Sequence, residues 1–149
     1  MNAKARKADD QSAQTGSIEW TPTIAPEKVC EFISGVRKFQ AKGPSDDLAE
    51  ASNPIDDGMS VVLEDVPEDS VEFELREFVR GLNVDEQIDL VSLAWLGRGD
   101  GSRAEWGTLR AEAARGHNPR TVARYLLGMP MLPDYLVDAL DTFGQACGD

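Results

Sequence analysis

The sequence predicts an all-α protein: a compact bundle of five to six short helices with a disordered N-terminal tail and an acidic linker. Three observations carry that expectation. Residues 84–96 read as a helix with almost no polar side, and such a helix belongs in the middle of a bundle. Apolar residues elsewhere recur at helical spacing, bounded by Asn, Ser, Gly and Pro in positions that start and stop helices. No stretch shows a convincing strand pattern.

Residues 1–22 are expected to form the tail. The first 17 lack periodicity and are rich in Ala, Lys, Asp, Gln and Ser. Ile18 and Trp20 are the first residues able to anchor the chain, either on the domain or as a linear binding motif. Residues 23–43 hold a docking helix. Pro26 suits a first helical position, Val29, Phe32, Ile33, Val36 and Phe39 make one apolar stripe, and Gly43-Pro44 stops it. Cys30 lies beside the stripe and reads as a buried, inert thiol.

Residues 44–69 form the acidic linker, too poor in apolar surface to fold alone. Its one apolar run, Met59–Leu63, could lie as a strip on the helices. Its carboxylates lack the spacing of a calcium-binding EF-hand loop.

The helical domain is expected over 70–145. Asp69 or Ser70 caps its first helix, with Glu72 placed to complete a capping box with Asp69. Val71, Leu75, Phe78, Val79 and Leu82 form the stripe, and Gly81 offers a left-handed stop. Asn83 with Glu86 caps the central helix immediately afterwards, and Gly97 is its expected end. Ser102 with Glu105 opens a helix to about Arg115, with Trp106, Leu109 and Ala113 inward and Arg103, Arg110 and Glu112 outward. Asn118-Pro119 starts another, with Val122, Tyr125 and Leu126 inward, and Gly128 and Pro130 end it. Pro133 opens the last, striped by Leu136, Leu140 and Phe143.

The strings Gly-Leu-Asn-Val-Asp-Glu-Gln (81–87), Trp-Leu-Gly-Arg-Gly-Asp (95–100), Glu-Trp (105–106) and Tyr-Leu-Leu-Gly-Met-Pro-Met-Leu (125–132) resemble an uncharacterised bacterial family, domain of unknown function 3775. The resemblance covers roughly residues 70–143. It carries no activity, cofactor or catalytic residue with it, so the functional reading rests on the residues.

Charge is uneven. Of the formal net charge of −12, residues 44–75 supply −11 with no basic residue, and residues 76–149 supply −3. Phosphate contacts need clustered Lys and Arg, so nucleic acid is a disfavoured partner. Two cysteines far apart argue against a disulfide scaffold and a zinc site. No signal-peptide pattern and no apolar run of about 20 residues appears, so the cytoplasm is the expected compartment and a membrane is not an expected partner.

No catalytic, cofactor-binding or metal-ligating set stands out, and no cofactor is expected. His117, the single histidine, reads as a solvated joint residue without an orienting partner or nucleophile. The best exposed candidate is the elbow Gly97–Ser102 with the joint at 125–135. Three glycines permit a sharp turn and close approach, and amides opening the next helix could meet an anion. The structural alternative pairs Arg98 with Asp100 across the two helix ends. The Arg98-Gly99-Asp100 tripeptide matches an adhesion sequence, which is taken as coincidence. Tyr125, Met129, Met131 and Tyr135 could line an adaptable groove or fill the core. Arg115, Arg120 and Arg124 make a small basic patch beside them.

The candidate interaction surface is therefore Arg98, Asp100, Ser102, Arg120, Arg124, Tyr125, Met129, Met131 and Tyr135. The expected function is a protein–protein interaction or regulatory adaptor module, with a protein partner or a second copy as occupant. The alternatives are an enzyme or small-anion binder using the 97–102 elbow, and an acidic nucleic-acid mimic acting through residues 44–75.

Overall fold

The structure, a computed structural model, describes residues 20–42 and 67–148. The expectations for residues 1–19 of the tail, for residues 44–66 of the acidic linker and for Met59–Leu63 lie outside the described residues, while Trp20, expected as an anchor, does pack on the domain. Within them are six α-helices and no strand: α1 Pro26–Lys42, α2 Val71–Gly81, α3 Val84–Arg98, α4 Trp106–Arg115, α5 Val122–Leu127 and α6 Leu132–Thr142. A short 3-10 turn, Arg103–Glu105, leads into α4.

The central helix is α3. Every residue from Gln87 to Ala94 is buried, and so is Leu96. It packs most extensively on α6 and then on α4, while α1 lies against α6 and α2, and α2 against α5. The α3–α6 crossing is tight because Gly97 has no side chain: a Cβ there would sit 1.7 Å from the carbonyl oxygen of Tyr135. Gly97 is thus a packing residue inside α3, not its expected end. Gly99 takes the left-handed position at φ 99°, and the amides of Gly99 and Asp100 close back onto the Trp95 carbonyl at 3.1 and 3.0 Å.

The Asn83–Glu86 capping box forms as expected, with Asn83 Oδ1 accepting from the Glu86 amide at 2.8 Å and Glu86 Oε1 from the Asn83 amide at 3.0 Å. At α2 the cap is Ser70, whose hydroxyl accepts from the Phe73 amide at 3.0 Å. Glu72 does not complete a box with Asp69. It pairs with Arg76 instead, at 2.6 Å one turn on. Gly81 is not left-handed. The chain leaves α2 through Leu82 and enters α3 through Asn83, both extended, so the corner needs no positive φ. Asn118-Pro119 forms a turn instead of a first helical turn, and α5 begins only at Val122.

Helix α1 gives Val29, Phe32, Ile33 and Val36 to the core, and Ile24 just before it is also fully buried. Phe143 ends α6 between Trp20 and Trp106, edge-on to both with ring centroids 5.4 Å apart.

Cys30 and Cys147 are bonded as a disulfide, with Cα atoms 5.5 Å apart. The expectation of an inert free thiol is therefore wrong. The spacing of 117 residues gave no hint that the tail after α6 returns to α1. Such bridges persist in oxidising compartments, which weighs against the cytoplasmic expectation. No helix among the described residues is long and apolar enough to cross a membrane.

Candidate functional site

Two depressions lie side by side where α3, α4 and α5 meet. The first, about 510 Å³, is a shallow basic shelf lined by Arg98, Thr121, Arg124, Tyr125, Gly128 and Met129. The second, about 240 Å³, is a slot whose walls include Val91, Trp95, Ala113 and Val122, with His117, Asn118, Thr121 and Tyr125 also lining it. Thr121 and Tyr125 belong to both, so the two form one continuous surface.

Helix periodicity explains the placement. Val91, Trp95 and Arg98 follow one another at i, i+4 and i+7 along α3 and share a face. Thr121 and Tyr125 do the same at the start of α5. The Trp95 indole N–H donates to the Tyr125 hydroxyl at 2.8 Å. That bond holds both rings and makes Tyr125 a fixed wall between shelf and slot. Tyr125 is 44% exposed, so its expected inward orientation is corrected: the ring leans over α3 instead of entering the core.

Arg98 pairs with Asp100 at 2.7 Å. That hydrogen bond is the chief reason the guanidinium is held even more firmly charged than usual, with the Tyr125 hydroxyl helping. Arg124 has no ion pair or hydrogen bond from its side chain among the described residues, so the shelf keeps an unneutralised cation.

Of the remaining candidate residues, Ser102 lines neither depression. Its amide donates to Glu105 Oε1 at 2.7 Å and starts the next helix. The amides of Gly99 and Asp100 are engaged with α3, so three of the elbow's amides already have acceptors. Arg120 is exposed beyond the shelf. Met131 is 48% exposed, two residues past the shelf's Met129, which is itself buried. Tyr135 is half-buried and serves the α3–α6 crossing.

Behind the slot lies a polar network that sequence reasoning missed. Gln87, buried in α3, donates its amide to the Val79 carbonyl at 2.9 Å, so its Oε1 must accept. The atom facing that oxygen is His117 Nε2, 2.7 Å away, which therefore carries a proton. His117 is thus oriented and half-buried, which corrects the expectation of a solvated joint residue. In its neutral form Nδ1 remains an unprotonated acceptor on the ring edge away from Gln87.

Two residues further along α3, Asp89 is fully buried. It accepts from the Thr23 amide at 2.6 Å, the Ile24 amide at 2.9 Å and Arg110 Nε at 2.7 Å. Burial pushes its carboxyl above the usual range, outweighing those donors. Arg110, expected outward, bends back over α4 to meet it. Among the described residues no group of three His, Cys, Asp or Glu side chains converges as a metal site would require.

No curated protein and no solved structure matches the chain. The matched part of the sequence begins at the start of α2 and runs past α6, and so contains every residue lining the shelf and the slot. Over that part, residues 72–145, the chain matches the family described as protein of unknown function (DUF3775), and the helical domain these residues form belongs to that family.

Proposed function

We propose that this protein is a protein–protein interaction module that docks an acidic segment of a partner on the shelf formed by α3 and α5. The observation that supports this most is the placing of Arg98 and Arg124 on one depression floored by Met129 and walled by Tyr125. Guanidinium groups match carboxylates in shape and hydrogen-bond geometry, and exposed Tyr with buried Met is a composition that suits recognition. Exposed Met131 extends the apolar surface beyond it.

The partner is a peptide segment, not a free anion at the elbow, because three of the elbow amides already have acceptors while the shelf is wide and open. Of the formal net charge of −12, residues 44–75 supply −11, and residues 76–149, which hold every residue lining the shelf, supply only −3.

The test is titration of the full chain with a synthetic acidic peptide, beside the Arg98→Ala/Arg124→Ala double variant. Binding that weakens with salt and disappears in the double variant supports the module. Equal binding to both proteins removes it. Reversible dimerisation that depends on Arg98 and Arg124, with no peptide binding, replaces a foreign partner with a second copy.

A further inference from the structure

We infer that the slot beside the shelf receives one aromatic side chain of the docked segment, with an acidic residue a few positions away falling on Arg98 and Arg124. This deepens the interaction reading and rests on it. The slot's volume of about 240 Å³ is below the roughly 300–1,000 Å³ of pockets that enclose a whole drug-sized ligand. It suits a single large side chain.

Its walls favour an aromatic occupant. Val91, Ala113 and Val122 offer hydrocarbon, while Trp95 and Tyr125 offer ring surfaces for offset or edge-on packing. The Trp95–Tyr125 hydrogen bond sets both rings in advance, so little side-chain freedom is lost when the occupant enters. His117 also lines the slot; its Nε2–H is donated to Gln87 Oε1, so in the neutral ring Nδ1 is the nitrogen open to a phenol or indole donor, which an aliphatic anchor lacks.

Charge complementarity fixes the rest of the segment. Thr121 and Tyr125 line both depressions, so an anchor in the slot brings its neighbours directly over the guanidiniums. A carboxylate there meets Arg124, which has no partner among the described residues. The occupant is therefore an acidic segment with one aromatic residue.

Three synthetic peptides test this against the full chain: an acidic peptide with one tyrosine, its tyrosine-to-alanine counterpart, and the tyrosine peptide with its acidic residues as amides. Calorimetry gives affinity, and the indole N–H resonance of Trp95 reports occupancy of the slot. The tyrosine peptide should bind about tenfold more tightly than the alanine peptide, as anchor residues at interfaces do, and only it should shift the Trp95 resonance. Ala113→Leu, which fills the slot, should abolish that advantage and leave the weaker binding of the alanine peptide intact. Gly116→Phe, at a residue that lines the slot and not the shelf and whose added Cβ meets nothing within 4 Å, gives the same reading should Ala113→Leu fail to fold.

Equal affinity of the tyrosine and alanine peptides overturns the slot and leaves the interaction module standing. Failure of both acidic peptides to bind removes the module and the slot together. Binding of N-acetyltyrosine as tight as that of the peptide makes this a small-molecule site and overturns the inference. Equal binding of the amide peptide removes the role of Arg98 and Arg124.

Discussion

The two halves of α3 each hold one end of an Arg–Asp pair, and both pairs are 2.7 Å long. In the first half, Asp89 is 0% exposed and its partner Arg110 29%. At the far end, Arg98 and Asp100 are 38% and 39% exposed. Identical chemistry at identical distance therefore stands in two solvents. Around Arg98–Asp100 water competes for both groups, and pairs of that kind contribute about 0–1 kcal/mol. Around Asp89 there is no water to take over if a donor is lost. The buried pair is weak proof that charge stabilises, since an apolar replacement for both could do as well. What it does establish is dependence: Asp89 gathers Thr23 and Ile24 from the segment before α1 and Arg110 from α4, and its loss strands all three donors.

The largest expected effect breaks that dependence. Asp89→Ala leaves two backbone amides and the Nε–H of Arg110 without an acceptor, although Arg110 keeps its bond to the Asp85 carbonyl, and should cost about 3–5 kcal/mol, as loss of one partner of a buried pair does. Asp89→Asn should not rescue it, because either placement of the amide turns an N–H₂ group toward existing donors. Urea or thermal unfolding checks both. A loss below about 1 kcal/mol for Asp89→Ala would show that the carboxylate is dispensable and that burial had been overvalued.

The second effect shows that the elbow end of α3 is rigid in its backbone even where its charges are dispensable. Gly97→Ala drives a methyl group into the Tyr135 backbone carbonyl, and relief requires α6 to move off α3. Overpacking of this kind costs about 1–3 kcal/mol or more. Gly81→Ala is the control. Nothing lies within 4 Å of its added Cβ, so the substitution should be neutral or slightly stabilising. Similar losses at both sites in denaturant titrations would mean the close crossing is not what Gly97 serves.

These two glycines show what the sequence revealed and what it hid. Helix number, order, the Asn83 cap and the burial of α3 follow from local periodicity and capping chemistry, which neighbouring residues write in plain view. Gly81, Gly97 and Gly99 look alike in sequence. Only the crossing of α6, whose Tyr135 lies 38 positions beyond Gly97, separates a helix end from a packing contact. The slot was hidden for the same reason, since Gln87 meets His117 across 30 residues. The Cys30–Cys147 bridge spans 117. One signal was present and unused. Gln87, Asp89 and Ser92 sit in a helix with no exposed side, and polar groups in such a place require partners. That argument predicts a buried network, though not who completes it. At the candidate surface, Arg98, Arg124, Tyr125 and Met129 do meet on one depression, while Ser102, Arg120 and Tyr135 stand apart from it.

Acid titration separates the polar groups of α3 more finely. Glu86 is held below the usual carboxylate range, first by the Asn83 amide and then by Lys28. Its contribution is therefore present at neutral pH and lost as pH falls through its folded value. Asp89 has the opposite sign. Its folded value is raised, so the fold is favoured by protonation, and stability from this group falls as pH rises through that raised value. The difference in stability between the native chain and Glu86→Gln should thus shrink on acidification from pH 7 toward pH 4, reference points set by ordinary carboxylates at about 4. The difference for Asp89→Asn should grow over the same range. At neutral pH the Glu86→Gln loss should be about 1 kcal/mol, the scale of a helix cap. Slopes of the same sign for both variants would contradict the difference in environment inferred along α3.

The smallest effect on stability concerns the exposed pair, and it should come with the largest effect on binding. Arg98→Ala removes a guanidinium that remains 38% exposed while paired, so the fold should lose less than about 1 kcal/mol. Asp100 left alone is 39% exposed and can be hydrated where it stands, which Asp89 cannot. The backbone closure of the elbow also survives, because the Gly99 and Asp100 amides need no side chain to reach Trp95. Binding should respond differently, since Arg98 is one of the two guanidiniums on the shelf among the described residues and the acidic peptide depends on both. Asp100→Asn sharpens the point. It releases Arg98 from its internal partner, so affinity for the acidic peptide should rise even though an ion pair has been lost. If Arg98→Ala unfolds the protein as readily as Asp89→Ala, the pair at the elbow is structural and the surface has no cation to offer. If Asp100→Asn weakens peptide binding, Asp100 orients Arg98 for its partner more than it competes with it.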